Sequence, residues 1–403
     1  MEFKKNIIYF YTVQKQLFIP IHRHEYNLRC YAIDLFETKK QEVKSINFNY
    51  TLYTQSIKKI LKLHLKDFDS FRIIIIDGIY NFWSKLSIRS FSQAFYLKKY
   101  ANEINLSYIL LFSKKRSIFS QDVVYLYFPS GMFANKTIEI LYISTGIDSK
   151  MFNTKHLITL GRGSCIKIIE HHKTLGKEKK IFSSMIDISQ RAYSYLNFCK
   201  IKDNRNIHFL DITSIYQEDR SECNLDSFLF CGESIINFLS IFQIGKEIHS
   251  YINGFNICQG NIKYNSLIEH FFPNGKSMDI YKGIYDKLAN TYFNSKIIIL
   301  KSAKKTNANQ HSKNILLDNP TNVNVNPKLE IFSEDVKCYH GCTIGQLIPQ
   351  EIFYLQSRGL SKTEAINKLL FAFAKNILES IPCIRLKNLI SKKINKNAFF
   401  NRN

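Results

Sequence analysis

Between Arg72 and Leu300 the apolar residues fall in short runs rich in β-branched and aromatic side chains, each closed by turn formers. That punctuation reads as a succession of strands. Arg72-Ile-Ile-Ile-Ile-Asp77, Tyr108-Ile-Leu-Leu-Phe112, Val123 to Phe128 before Pro129-Ser-Gly131, Ile138 to Ile143, Ile166 to Ile169, Phe228 to Gly232 and Lys296 to Leu300 all have this form. Their spacing suits a sandwich, a barrel or a solenoid equally, because no repeat of fixed length is visible. Two stretches, Thr145 to His156 and Gln217 to Asp226, interrupt the runs and are expected to be surface loops. Upstream, Ile57, Ile60, Leu61 and Leu65 fall near one face of a short amphipathic helix.

After Gly345 the periodicity turns helical. Pro349 is tolerated in a first turn and Gly359 suits a left-handed cap, so the spacing predicts a helix over residues 349–358. Ser361-Lys-Thr-Glu364 has the form of a capping box and starts a second helix. Ile366, Leu369, Leu370, Phe373 and Ile377 make one apolar stripe on it, and Pro382 limits its length.

The chain carries 56 lysines and arginines against 33 acidic residues, a net charge of +23. Such an excess invites a nucleic-acid reading. The lysines are scattered among abundant Asn, Ile, Phe and Tyr, as an AT-biased genome produces, and no nucleic-acid-binding motif accompanies them. Only the last segment, with Arg385, Lys387, Lys392, Lys393, Lys396 and Arg402, concentrates charge, and it reads as a solvated basic tail. Nine cysteines without framework spacing argue against disulfides and for a reducing cytosol. The start has no signal-peptide form, and no apolar stretch approaches the roughly 18 residues of a spanning helix, so a cytoplasmic protein with no membrane contact is expected. Phosphate-binding loops, His-Glu-x-x-His and Gly-x-Ser-x-Gly are all missing, which excludes the commonest catalytic machinery. Gly161-Arg-Gly163 reads as a turn before a strand, His171-His172 beside Glu170 as a strand end with the two rings on opposite sides, and His22 and His24 as surface residues.

The richest chemistry lies in Val336-Lys-Cys-Tyr-His-Gly-Cys-Thr-Ile344. On a strand, Val336, Cys338, His340, Cys342 and Ile344 share one face, while Lys337, Tyr339 and Thr343 share the other. Thiolate and imidazole are ligands for zinc, copper and iron–sulfur centres, so the face reads as a soft-metal site. Buried cysteine is also ordinary core, and that reading stays open. Three donors on one strand do not close a cluster that needs four, so ligands from elsewhere would be required.

Asp335-Val-Lys-Cys-Tyr-His-Gly-Cys-Thr-Ile-Gly345, with Pro327-Lys-Leu-Glu-Ile-Phe332 before it and Ile352-Phe-Tyr-Leu-Gln-Ser-Arg-Gly359 after it, resembles the signature of the SufB/SufD family of iron–sulfur cluster assembly subunits. Lys305-Thr-Asn-Ala308, Gln310 and Asn314-Ile-Leu-Leu317 are similar to another stretch of that family. Fainter similarities are Gly232-Glu-Ser-Ile-Ile-Asn237, Asn253-Gly254, Tyr281-Lys-Gly283 and Ile168-Ile-Glu-His-His172. The His340-Gly341 pair is similar to the SufD branch, since SufB usually has histidine, glutamate and alanine there. Asn47-Phe-Asn-Tyr-Thr51 only partly matches the family's tryptophan-lysine-tyrosine-threonine stretch.

The resemblance implies a mainly β chain. It has a right-handed parallel β-helix core over residues 69–345, with an N-terminal mixed region (1–68), a C-terminal helical region (346–384) and a basic tail (385–403). It implies a non-catalytic scaffold of the SufBCD complex that pairs with SufB and docks SufC, the ATP-binding-cassette ATPase. The implied interface site is His340 with Cys338, and Cys342 on the same face, where family members usually carry alanine. No cofactor would be permanently bound. Iron or a nascent cluster would be held transiently with SufB, and a flavin is left open. The SufC contact would fall on Leu347, Ile352, Phe353, Leu355, Ile366, Leu369, Leu370 and Phe373. The alternatives are a SufB-like subunit that accepts sulfur itself and, more remotely, a nucleic-acid-binding protein.

Overall fold

A computed structural model of the chain describes residues 70–76, 79–80, 109–112, 122–134, 137–144, 151–174, 180–204, 207–231, 234–286, 289–317, 321–379, 381, 387–388 and 390–392. The region before Ser70, with the Ile57–Leu65 stripe, His22, His24 and Asn47–Thr51, lies outside the described residues, as does most of the basic tail.

From Thr137 on, consecutive strands alternate between two sheets, one of ten strands and one of nine. Thr137–Ser144 pairs in parallel with Ser70–Ile76, and from Met151 on each strand pairs in parallel with the strand two places before it and, until the last two, with the one two places after it. This is a parallel β-solenoid in which every turn gives one strand to each sheet. Among the described residues the antiparallel pairs are Ser70–Ile76 with Ile79–Tyr80 and Ile109–Phe112 with Asp122–Phe128.

Register explains why the repeat is hard to see. Tyr195 pairs with Glu222, Glu222 with His249 and His249 with Lys276, a spacing of 27 residues. Nearer the ends, Cys165 pairs with Tyr195 and Thr306 with Val336, so the spacing grows to 30 and the period is lost. What does repeat is a corner. Gly163, Tyr193, Arg220, Glu247, Asn274 and Lys305 all have positive φ. Each donates its N–H one turn onward, to the carbonyls of Ala192, Asp219, Lys246, Pro273, Lys304 and Asp335 respectively. A non-glycine residue in this conformation costs about 1–2 kcal/mol, and the ladder of hydrogen bonds offsets it. Gly161-Arg-Gly163 is thus the turn expected from its sequence.

Both expected loops are corrected. The strand Met151–Leu160 begins inside the first, and the second is only a turn between Ile207–Gln217 and Glu222–Cys231. The polar residues that suggested loops are buried: Thr154 and His156 in one, Gln217 and Asp226 in the other. Gln217 donates through Nε2 to the carbonyl of His249, and Gln190 and Gln243 make the same bond to Glu222 and Lys276. These side chains knit successive turns together inside the solenoid.

After the last strand come α1 (Pro349–Ser357) and α2 (Lys362–Glu379). Gly359 has φ +91°, and the capping box forms: Ser361 Oγ accepts from the Glu364 N–H at 3.2 Å, and Glu364 Oε2 accepts from the Ser361 N–H at 2.8 Å. The apolar face of α2 lies on the outside of the ten-stranded sheet, where Leu370, Ala374, Ile377 and Leu378 pack with Ile201, Phe228, Phe255 and Ile257. Burying Leu370, Ile377 and Leu378 contributes about 1.5–3 kcal/mol each. Helix α1 buries no residue. No helix among the described residues is long and apolar enough to cross a membrane.

Candidate functional site

The solenoid ends in two strands, Asn322–Ile331 and Val336–Gln346, each paired on one side only. Pro327, which lacks an N–H to donate, is in the first of these edge strands, where proline is tolerated. Along both strands the inward-facing residues are only partly covered, and no further strand among the described residues stacks on them. Val336 and Cys338 touch the interior core from this open end.

Register fixes what lies beneath each donor. Cys338 pairs with Ala308, His340 with Gln310 and Cys342 with Ser312, and Ala308, Gln310 and Ser312 are all buried. The strand therefore presents Cys338, His340 and Cys342 to the inside of the solenoid, on its last turn. Cys338 is half-buried while His340 and Cys342 are exposed. Burial pushes the Cys338 thiol up, against a smaller opposing effect of a hydrogen bond with the Ala308 backbone, and burial also raises Cys342. Both are protonated thiols at neutral pH and must lose a proton to ligate metal. No three His, Cys, Asp or Glu side chains among the described residues converge as a metal site. The strand offers part of a ligand set.

The opposite face explains Gly341. A Cβ there would stand 2.9 Å from His311 Nδ1, whose ring packs edge-on against Tyr339 at 5.2 Å. The family-like glycines deeper in the solenoid have a similar reason. A Cβ on Gly254 would meet the Tyr281 ring at 1.8 Å, and one on Gly283 the Tyr285 ring at 2.3 Å.

On the last two strands and through the start of α1, large apolar side chains face solvent: Ile331, Phe332, Tyr339, Ile344, Ile348, Phe353 and Tyr354, with Phe353 72% exposed. The residues expected to dock a partner separate into two groups. Phe353 is exposed, and Ile352, Leu355 and Leu369 are half-buried. Leu370 is fully buried in the chain's own packing. Leu347, Ile366 and Phe373 also lean on the solenoid, and Lys282 donates to the Phe373 carbonyl at 2.7 Å.

Deeper inside is a charged cluster that the sequence did not reveal. His171 and His172 do face opposite sides, but the strand runs on to Thr174 and both are buried. His172 stacks on Tyr142 with ring centroids 4.3 Å apart and bonds Glu170 Oε1 at 2.8 Å. Lys200 Nζ lies 2.9 Å from Asp211 and 3.3 Å from Glu170, and donates to Thr213 at 2.6 Å. Lys202 also contacts Asp211. Burial works against the charge on Lys200, yet Asp211 and Glu170 outweigh it and hold the ammonium above its usual range. Burial likewise raises Glu170, but Lys200 and His172 outweigh it and hold the carboxyl well below the carboxylate range. Two cations and two anions balance, which fits a structural role.

The family profile described as the SufBD core domain of SUF-system iron–sulfur cluster assembly matches residues 142–373. The chain belongs to the SufBD family. Its relatives include the iron–sulfur cluster assembly protein SufD of Escherichia coli, 26% identical over 68% of this chain and 66% of that one. Protein ABCI7, chloroplastic, of Arabidopsis thaliana is 26% identical over 65% and 57%, and Plasmodium falciparum SufD is 31% identical over 60% and 17%. The chain thus matches just under two thirds of the Escherichia coli protein's length and less of the others. Within the SufBD family it is of SufD type. The matched region contains Cys338, His340 and Cys342 together with α1 and most of α2.

Proposed function

We propose that this protein is a non-catalytic scaffold subunit of iron–sulfur cluster assembly. It pairs its open end with a SufB subunit and docks the SufC ATPase on α1 and the adjoining surface of α2. The observation that carries this reading is the last turn of the solenoid, where Cys338, His340 and Cys342 face inward with no described strand closing over them. Unpaired edge strands are templates for another chain's strands, and a cluster of exposed apolar side chains marks an interface. A partner laid on this end buries the apolar rim and brings the missing ligands to the same place.

Iron, or the cluster being built from it, is the cargo of such a site. His340 and Cys338 offer a nitrogen and a sulfur donor suited to iron, and Cys342 a second thiol. Each thiol releases its proton on ligation. The docking reading rests on α1: a helix that buries nothing while carrying Ile352, Phe353, Tyr354 and Leu355 has an apolar surface suited to a groove in a partner.

The test is co-expression with candidate SufB and SufC subunits, purification, and absorbance after anaerobic reconstitution. The three chains are expected to co-purify and to gain cluster absorbance. His340→Ala is expected to leave the complex assembled but lower the cluster yield. Failure to co-purify overturns the scaffold reading, and an unchanged yield overturns the site.

A further inference from the structure

Gln310 lies directly beneath His340 on the neighbouring strand, faces the same interior, and is 2% exposed. Neither its carboxamide oxygen nor its nitrogen has a hydrogen-bond partner among the described residues. One strand further in, Asp279 is the register partner of Gln310. Its Oδ2 accepts from Ser266 at 3.1 Å and Ser295 at 2.8 Å, while Oδ1 has no partner among the described residues. Neighbouring positions do not relieve the amide. Ala308 carries no polar side-chain group, and the Ser312 hydroxyl already accepts from Asn314 at 3.0 Å.

Native interiors leave few buried polar groups unpaired, and each exception calls for a reason. A leucine would fill this position without desolvating an amide. The unpaired groups are complementary in kind and stand in register: an imidazole N–H on His340, an acceptor and a donor on Gln310, and an acceptor on Asp279. A histidine that binds metal through one ring nitrogen almost always donates the N–H of the other to a carbonyl or carboxylate, which fixes the ring.

We propose that Gln310 is the positioning residue of the His340 site, its carboxamide oxygen accepting the imidazole N–H and its amide donating to Asp279 Oδ1. The series Asp279, Gln310, His340 runs outward across three adjacent strands. It leaves the second ring nitrogen of His340 free for a divalent metal ion arriving at the open end. This rests on the reading of His340 as a ligand, and it adds the groups that orient that ligand.

The test uses the full chain and cobalt(II) as the probe, followed through its ligand-field absorbance. The parent is expected to bind, and Gln310→Leu to raise the dissociation constant about tenfold with an altered band, as loss of an outer hydrogen-bond partner does. Gln310→Asn keeps both an acceptor and a donor on a shorter side chain and is expected to fall between the parent and Gln310→Leu. A purely structural role predicts the reverse pattern, with thermal stability lost in Gln310→Leu and cobalt affinity unchanged. Equal affinity in the parent and Gln310→Leu overturns the proposal, as does a parent that takes up no cobalt. If Gln310→Leu alone matches the parent while His340→Ala loses binding, only the positioning role fails. If His340→Ala binds like the parent, the ligand assignment fails first.

Discussion

Lys200 and His340 both face the inside of the solenoid, one in its middle and one on its last turn, and their surroundings differ completely. Lys200 is enclosed by Glu170, Asp211 and Thr213, each within 3.3 Å, and its charge is neutralised where it stands. His340 sits at an edge with the unpaired amide of Gln310 below it and, among the described residues, no strand above. The same inward orientation therefore makes a structural element where the stack is closed and an incomplete site where it is open. Stability should depend on the first, and assembly with partners on the second.

The strongest way to break that contrast is Lys200→Met. It leaves Glu170 and Asp211 buried with less compensation and is expected to destabilise the chain by about 3–5 kcal/mol, read by urea denaturation. A loss under about 1 kcal/mol would show that the cluster is solvated and the middle no more closed than the end.

Gly254→Ala tests the closed middle by overpacking it, because the new methyl meets the buried Tyr281 ring. The expected loss is about 1–3 kcal/mol, again by denaturation.

Asp279 offers a gain. Burial raises its carboxyl to about 6, with Ser266 and Ser295 acting in the opposite direction. With a folded value above the unfolded one, the folded chain binds more protons between about pH 4 and 6, and stability falls as pH rises through that window. Asp279→Asn should therefore stabilise the chain by about 1–3 kcal/mol at pH 7.5 and by nothing below about pH 4. A pH-independent difference would contradict the burial of the charge.

At the open end the stability effects should be smallest. Phe353→Asp on α1 is expected to change stability by less than about 0.5 kcal/mol, while removing SufC from the co-purified complex. Retained SufC would move the docking surface off α1.

The strands were legible wherever a buried apolar run coincided with turn formers, as at Ile138 to Ile143. They were hidden wherever the interior is polar. Lys200, Lys202, Asp211, Asn237 and Asp279 point inward or lie buried, so alternation of apolar and polar residues fails as a guide there. The outer face of the ten-stranded sheet is also covered by α2, which erases the alternation from the other side. The helix caps at Gly359 and Ser361 were readable because capping is local chemistry. The division of the apolar stripe was not. Leu370 and Leu369 are neighbours with similar side chains, and only the direction of α2 on the sheet makes the first core and leaves the second partly accessible.

By itself the sequence determined the elements that depend on neighbours in the chain. These are the short strands, the glycine and serine turns, the two capped helices, and the shared face of Cys338, His340 and Cys342. The tertiary structure decided everything that depends on register between distant residues. It stacked Asp279, Gln310 and His340 on three strands, gathered Glu170, Lys200, Lys202 and Asp211 into one neutral cluster, and left the last turn uncovered by any described strand. From Met151 on, parallel stacking brings together residues about 26 to 32 positions apart, and the properties of the site arise from those contacts.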